Sequence, residues 1–125
     1  MRVILDAGAF VAVEKRDRRV GAMLRILQQR RVPLRTSAAV VAHVWRDGRK
    51  QVDLARLIDG VAVVPLGPGD DRRTGELLGR TRSSDVVDAH LALCVEADDL
   101  VLTSDEDDLD RLLSARGIQA TLVAC

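Results

Sequence analysis

Three short, unbroken apolar runs constrain this chain most: Val3-Ile4-Leu5, Val61-Ala62-Val63-Val64 and Leu100-Val101-Leu102-Thr103. A strand with one wet face alternates apolar and polar residues, whereas a parallel strand covered on both faces reads as continuous hydrophobics. The first run, ending in Asp6, is therefore read as a central strand, and the other two as strands. Residues 118–124 form a last strand and 32–34 a short extended piece. Between them the 3.6-residue periodicity and the capping residues predict helices over 9–14, 21–30, 37–45, 51–58, 70–80, 85–97 and 106–116. Asp17 helps to cap the second, Ser37 caps the third, Gly60 closes the fourth and Gly117 ends the last. Every connection between strands is of crossover length, and parallel strands require that. The expectation is one domain over residues 1–125: an α/β fold, a three-layer α/β/α sandwich around a central, mostly parallel sheet.

The chain has 125 residues, 47% hydrophobic and 30% charged, which is too apolar for a disordered tail and long enough to bury a core without staples. Cys94 and Cys125 form no CxxC pair, so neither a zinc module nor a disulfide scaffold is expected, and a reducing cytoplasm is the expected setting. The apolar run before Asp6 is only three residues long, too short for the core of an export signal. The uncharged stretch from Thr36 to Trp45 is ten residues long, so no membrane span is expected.

Nineteen basic and nineteen acidic residues cancel overall but not locally. Residues 1–62 carry 13 basic and 6 acidic side chains, and residues 63–125 the reverse. A basic surface facing an acidic focus can hold a polyanion beside a cation site, although an ordinary solvated surface can sum the same way. From Ser83 to Asp110 there is no Lys or Arg, against ten Asp and Glu. That stretch cannot neutralise itself.

In open α/β sheets the ligand crevice lies beyond the carboxyl ends of the strands. Asp6 follows the first strand directly, Asp105 comes two residues after Thr103, and Asp85 and Asp88 sit three apart in the first turn of one helix. Two carboxylates about 4 Å apart repel by roughly 4 kcal/mol at an effective dielectric of 20. Clustering therefore demands protonation or a cation, and all-oxygen ligation selects a hard ion, Mg²⁺ or Mn²⁺. A competing reading makes Asp85 with Asp88, and Asp105 with Asp108, three-residue capping boxes, and for Asp85 and Asp108 taken alone capping is favoured. Asp6, followed by small Ala7-Gly8-Ala9, has no evident structural task.

Taken in order, Leu5-Asp6-Ala7-Gly8-Ala9-Phe10, then Ser84-Asp85-Val86-Val87-Asp88-Ala89-His90-Leu91-Ala92, then Leu102-Thr103-Ser104-Asp105-Glu106-Asp107-Asp108-Leu109 resemble the PIN domain family, and in length its VapC-type ribonuclease toxins. The resemblance implies a Mg²⁺- or Mn²⁺-dependent endoribonuclease, the toxin of a toxin–antitoxin pair, often a homodimer and inhibited by a small antitoxin protein. By position, Asp6, Asp88 and Asp105 match the family's metal-binding and catalytic acids. Asp108 matches a further acidic position, and Thr103 and Ser104 the small polar residues beside it.

One position departs from the pattern. Where the family usually places a glutamate in the helix after its second strand, this chain has His43. An imidazole there weakens the case for a second metal, and His43 could donate to a scissile phosphate or simply pack, partly buried, beside Trp45. Asp85 could restore the missing charge. The exchange also supports an alternative: a catalytically impaired PIN-like protein acting as a binding module. A phosphoacceptor receiver domain is set aside, because it needs an acidic pair after the first strand and a lysine after the last, and no Lys follows Lys50. For the RNA substrate, Arg16, Arg18, Arg46 and Arg49 of the basic half are the candidate phosphate contacts. Phe10 and Trp45 read as core, Cys94 as packed and Cys125 as exposed; His90 is left out of the metal set because it faces away from Asp88.

Overall fold

The computed structural model describes residues 1–125. The runs at 3–5 and 100–103 become neighbouring inner strands, β1 (Val3–Leu5) and β4 (Leu100–Thr103), with Val3, Ile4, Leu5, Val101 and Leu102 fully buried. β2 (Leu34–Ser37), β3 (Ala62–Val64) and β5 (Thr121–Ala124) complete a five-stranded, all-parallel sheet in the order β3-β2-β1-β4-β5. Seven helices cover it: α1 (Ala7–Glu14), α2 (Arg18–Gln29), α3 (Ala38–Val44), α4 (Val52–Asp59), α5 (Asp70–Thr81), α6 (Val86–Cys94) and α7 (Glu106–Ala115). α2 and α4 pack on α1, α5 and α7 pack on α6, and α3 bridges α1 and α6. The expected three-layer α/β/α architecture is what the chain adopts.

Strand order places the site. The chain leaves β1 for β2 and β3 on one side, then crosses back to β4 and β5 on the other. Strand order therefore reverses between β1 and β4, and the crevice of a doubly wound sheet opens at that switch point. Leu5 is level with Leu102, and the Asp6 amide donates to the Leu102 carbonyl (3.0 Å), so Asp6 and Thr103 stand side by side at the rim.

Several boundaries differ from the sequence expectation, each for a physical reason. The second strand covers residues 34–37 rather than 32–34. Its Arg35-Thr36-Ser37 looks polar, but Thr36 Oγ1 donates to the Leu5 carbonyl (2.6 Å) and Ser37 Oγ meets His90 Nδ1 (2.5 Å), which lets both residues be fully buried. α1 starts at Ala7 rather than at residue 9, because Asp6 is its N-cap. α2 starts at Arg18, with Asp17 Oδ1 accepting from the Val20 amide (3.0 Å). α6 stops at Cys94 instead of residue 97, where Arg116 Nη1 donates to the Ala92 (2.6 Å) and Val95 (2.8 Å) carbonyls of its last turn. The last strand begins at Thr121, three residues later than expected.

Phe10 is core, as expected, and Cys94 is buried. Trp45 is not core: it caps α3 at its C-terminus, is 38% exposed, and lies against Gly48 of the following turn. The acidic stretch receives part of its compensation from the far end of the sequence. Arg2 grips Asp99 with Nε and Nη2 (3.1 and 2.7 Å) at the edge opposite the crevice. Burial alone would raise Asp99, yet this fork and the Glu96 amide hold its pKa below the ordinary value.

Candidate metal centre

Asp88 lies in the first turn of α6, while Asp105 is the N-cap residue of α7 and Asp108 lies in its first turn. Each offers a carboxylate oxygen, and the three oxygens lie within 4.8 Å of one another. No backbone N–H or side-chain hydroxyl donates to any of the three carboxylates. The only cation near them is Arg111, whose Nη2 stands 3.8 Å from Asp108 Oδ1, beyond hydrogen-bond length.

Asp6 and Asp85 belong to the same rim but are committed elsewhere. Asp6, 3% exposed, accepts from the Ala7 amide at Oδ1 (2.7 Å) and from Thr103 Oγ1 at Oδ2 (2.6 Å). The expectation that Asp6 has no structural task is thus corrected: it caps α1 and ties β1 to β4. The same Thr103 hydroxyl accepts from the Asp105 amide (2.9 Å), so one buried side chain sets both Asp6 and the backbone of Asp105. Asp85 Oδ1 accepts from the Asp88 amide (3.0 Å), in keeping with its capping reading. The second box does not form. Asp105 makes no side-chain cap, and Asp108 turns towards the cluster instead of capping α7.

The electrostatics follow from this crowding. Burial, then the charges of Asp6, Asp85, Asp105 and Asp108, push Asp88 up to about 7. Asp105 is also raised, by burial first and then by the facing carboxyl of Asp108. Such a group of oxygen donors fits a hard divalent cation: all are carboxylates, none takes a hydrogen bond from a backbone amide or a hydroxyl, and they repel one another when ionised.

The remaining sequence candidates are dispersed. His43 is exposed in the last turn of α3, which corrects the expectation of a partly buried imidazole packed beside Trp45. His90 is 1% exposed, shares a hydrogen bond with Ser37 Oγ at Nδ1 and meets the Pro65 backbone, so it joins α6 to the ends of β2 and β3. Burial keeps its pKa below the ordinary histidine value. Ser104 is exposed and abuts Gly8: a Cβ at position 8 would stand 2.5 Å from Ser104 Oγ and 3.1 Å from its amide nitrogen. Only glycine allows β1–α1 and β4–α7 to approach this closely.

Arg16 and Arg18 lie at the α1–α2 turn, Arg16 in a left-handed conformation and 3.7 Å from Asp53. Arg46 donates to the Ala42 (3.1 Å) and Trp45 (2.6 Å) carbonyls, and Arg49 stands 3.6 Å from Asp47. A cavity of about 400 Å³ between α2 and α4 has Arg25, Arg56 and Asp53 in its wall and none of the clustered carboxylates. The sequence reading missed Arg111, which shares a second cavity, of about 210 Å³, with Asp85, Asp88 and Asp108. Its spacing of three from Asp108 was the available signal.

Comparison with known proteins agrees with the topology. No protein-family model matches the sequence, and no curated protein sequence matches it. Among solved structures, the chain superimposes on a chain of the crystal structure of VapBC2 from Rickettsia felis bound to a DNA fragment from their promoter. The TM-score is 0.69, the identity 14%, and the match covers 100% of this chain and 99% of that one. The fold is PIN-like. At this identity the likeness speaks for the fold, and the reading of the site rests on its own geometry. No helix is long and apolar enough to cross a membrane.

Proposed function

We propose that this chain is a metal-dependent endoribonuclease of the VapC type, the toxin of a toxin–antitoxin pair, hydrolysing RNA phosphodiester bonds at its aspartate cluster. The observation that carries the reading is the meeting, at the switch point of a PIN-like sheet, of carboxylates from α6 and α7 that take no hydrogen bond from a backbone amide, a hydroxyl or an arginine. Asp88, Asp105 and Asp108 would hold Mg²⁺ or Mn²⁺, with Asp6 beside them. Bound there, a divalent cation supplies Lewis acidity at a phosphoryl oxygen and lowers the pKa of a water.

The chain's own residues do the rest. Thr103 holds the Asp6 carboxylate and the Asp105 amide in register. Asp85 orients the first turn of α6, and Ser104 with Gly8 sets the spacing of the two strand ends. The exposed Arg16, Arg18, Arg46 and Arg49 attract the substrate's phosphates over a wider surface. A small antitoxin protein as partner is supported by the VapBC2 likeness. A homodimer and a cytoplasmic location accompany the reading, the latter in keeping with two free cysteines.

The test incubates purified protein with structured RNA in Mg²⁺ or Mn²⁺, alongside Asp88→Asn. Cleavage by the wild type, abolished by EDTA and by the substitution, is the expected result. Cleavage that survives in Asp88→Asn comes from a contaminant. Absence of cleavage in both proteins overturns the proposal in favour of an idle binding module, with His43 in place of a glutamate as its cause.

A further inference from the structure

The cluster has a neighbouring cavity in which a single cation, Arg111, faces the carboxylates. It measures about 210 Å³ and lies between the α5–α6 turn and α7, with Ser83, Ser84, Asp85 and Asp88 on one wall and Asp108 and Arg111 on the other. Asp88 and Asp108 belong to both the cavity and the cluster, so the two are continuous. Arg111 is the first basic residue after the 28-residue stretch from Ser83 to Asp110 that has none. It sits one helical turn beyond Asp108, on the same face of α7. Its side chain is 57% exposed, and its ion pair with Asp108, at 3.8 Å, is too long and too wet to hold it. The fork is therefore available, and a forked guanidinium matches a phosphate better than it matches one distant carboxylate oxygen.

We propose that Arg111 is a substrate-positioning residue that grips a phosphate of the RNA strand in this cavity, next to the one held at the carboxylate cluster. This deepens, and rests on, the ribonuclease reading. A strand lying across the cluster passes one strongly anionic wall, and a cation at its edge fixes which way the strand leaves. The hydroxyl of Ser84, which has no side-chain partner, faces the same space.

The test measures binding and cleavage separately. Binding of a labelled RNA oligonucleotide is followed by fluorescence anisotropy in EDTA, where nothing is cut, and cleavage by steady-state kinetics in Mn²⁺. In Arg111→Gln the Kd and the KM are expected to rise about fivefold while kcat stays within twofold. The slope of log Kd against log salt should shrink by about 0.7, the share of one phosphate contact on a single strand. Arg111→Lys, which keeps the charge and loses the fork, should recover part of the affinity and all of the salt slope. Unchanged affinity and slope in Arg111→Gln overturn the proposal, as does a fall in kcat together with lost stabilisation by Mn²⁺, which would make Arg111 a support for Asp108. The two readings fail differently. Wild-type protein that binds RNA through Arg111 but never cuts it refutes the nuclease and spares the subsite, whereas protein that cuts RNA in Mn²⁺ with affinity and KM unchanged in Arg111→Gln refutes the subsite and spares the nuclease.

Discussion

Replacing Asp88 by Asn should make the metal-free protein more stable, and the gain should depend on pH. The Asp88 carboxyl titrates near 7 in the folded chain against an ordinary 3.8, because it is buried among Asp6, Asp85, Asp105 and Asp108. With the native value above the unfolded one, the native state keeps the proton longer. This favours folding fully below about pH 4, and the advantage is lost as the pH rises towards 7. Three pKa steps correspond to a ceiling of about 4 kcal/mol, of which about 2–3 kcal/mol falls between pH 5 and pH 8. Asn has the same shape and no charge to lose. Urea unfolding in EDTA should therefore show the stability gap between Asp88→Asn and wild type widening by that amount from pH 5 to pH 8. For 125 residues this is about 10 °C in Tm, at about 4 °C per kcal/mol. Mn²⁺ should reverse the order, since a ligand that binds only the folded state stabilises it in proportion to the logarithm of its concentration, and the variant has lost a ligand. A gap that stays constant with pH, or an Asn variant less stable at pH 8 in EDTA, would falsify the claim that crowded charge is the main strain at this rim.

Further substitutions test the supports of the site. Thr103→Val removes the hydroxyl that serves Asp6 Oδ2 and the Asp105 amide, and should cost about 2–3 kcal/mol in urea unfolding, while Thr103→Ser costs much less. Gly8→Ala would raise helix propensity in open water, yet here its Cβ meets Ser104 at 2.5 Å; a loss of about 1–3 kcal/mol is expected, partly recovered in Gly8→Ala with Ser104→Gly. Arg2→Gln strands the carboxylate of Asp99, 4% exposed, and should destabilise by about 3–5 kcal/mol with RNA cleavage intact at temperatures where the variant stays folded. Thermal scans and cleavage assays on the same preparations separate these outcomes.

How much of this was legible in the sequence differs between elements. β1 and β4 announce themselves because their buried positions are almost all apolar, and Asp6, Asp88 and Asp105 stand out by their places after a strand or in a first helical turn. β2 did not, because the partners of Thr36 and Ser37, the Leu5 carbonyl and His90, lie 31 and 53 residues away. Trp45 misled for the related reason that a large aromatic carries no mark of which side of its helix end it will occupy.

The sequence by itself determined the class of fold and the chemistry available on its rim, since local hydrophobic pattern and the order of acids are properties of the chain. Tertiary structure alone decided which acids are free. Asp6 takes a hydrogen bond on each oxygen, from Ala7 and Thr103, Asp85 caps α6, and Asp108 leaves its capping place to join Asp88 and Asp105. Hydrogen bonds compete for the same lone pairs that a cation needs, and that competition is settled only when distant segments are brought within reach of one another.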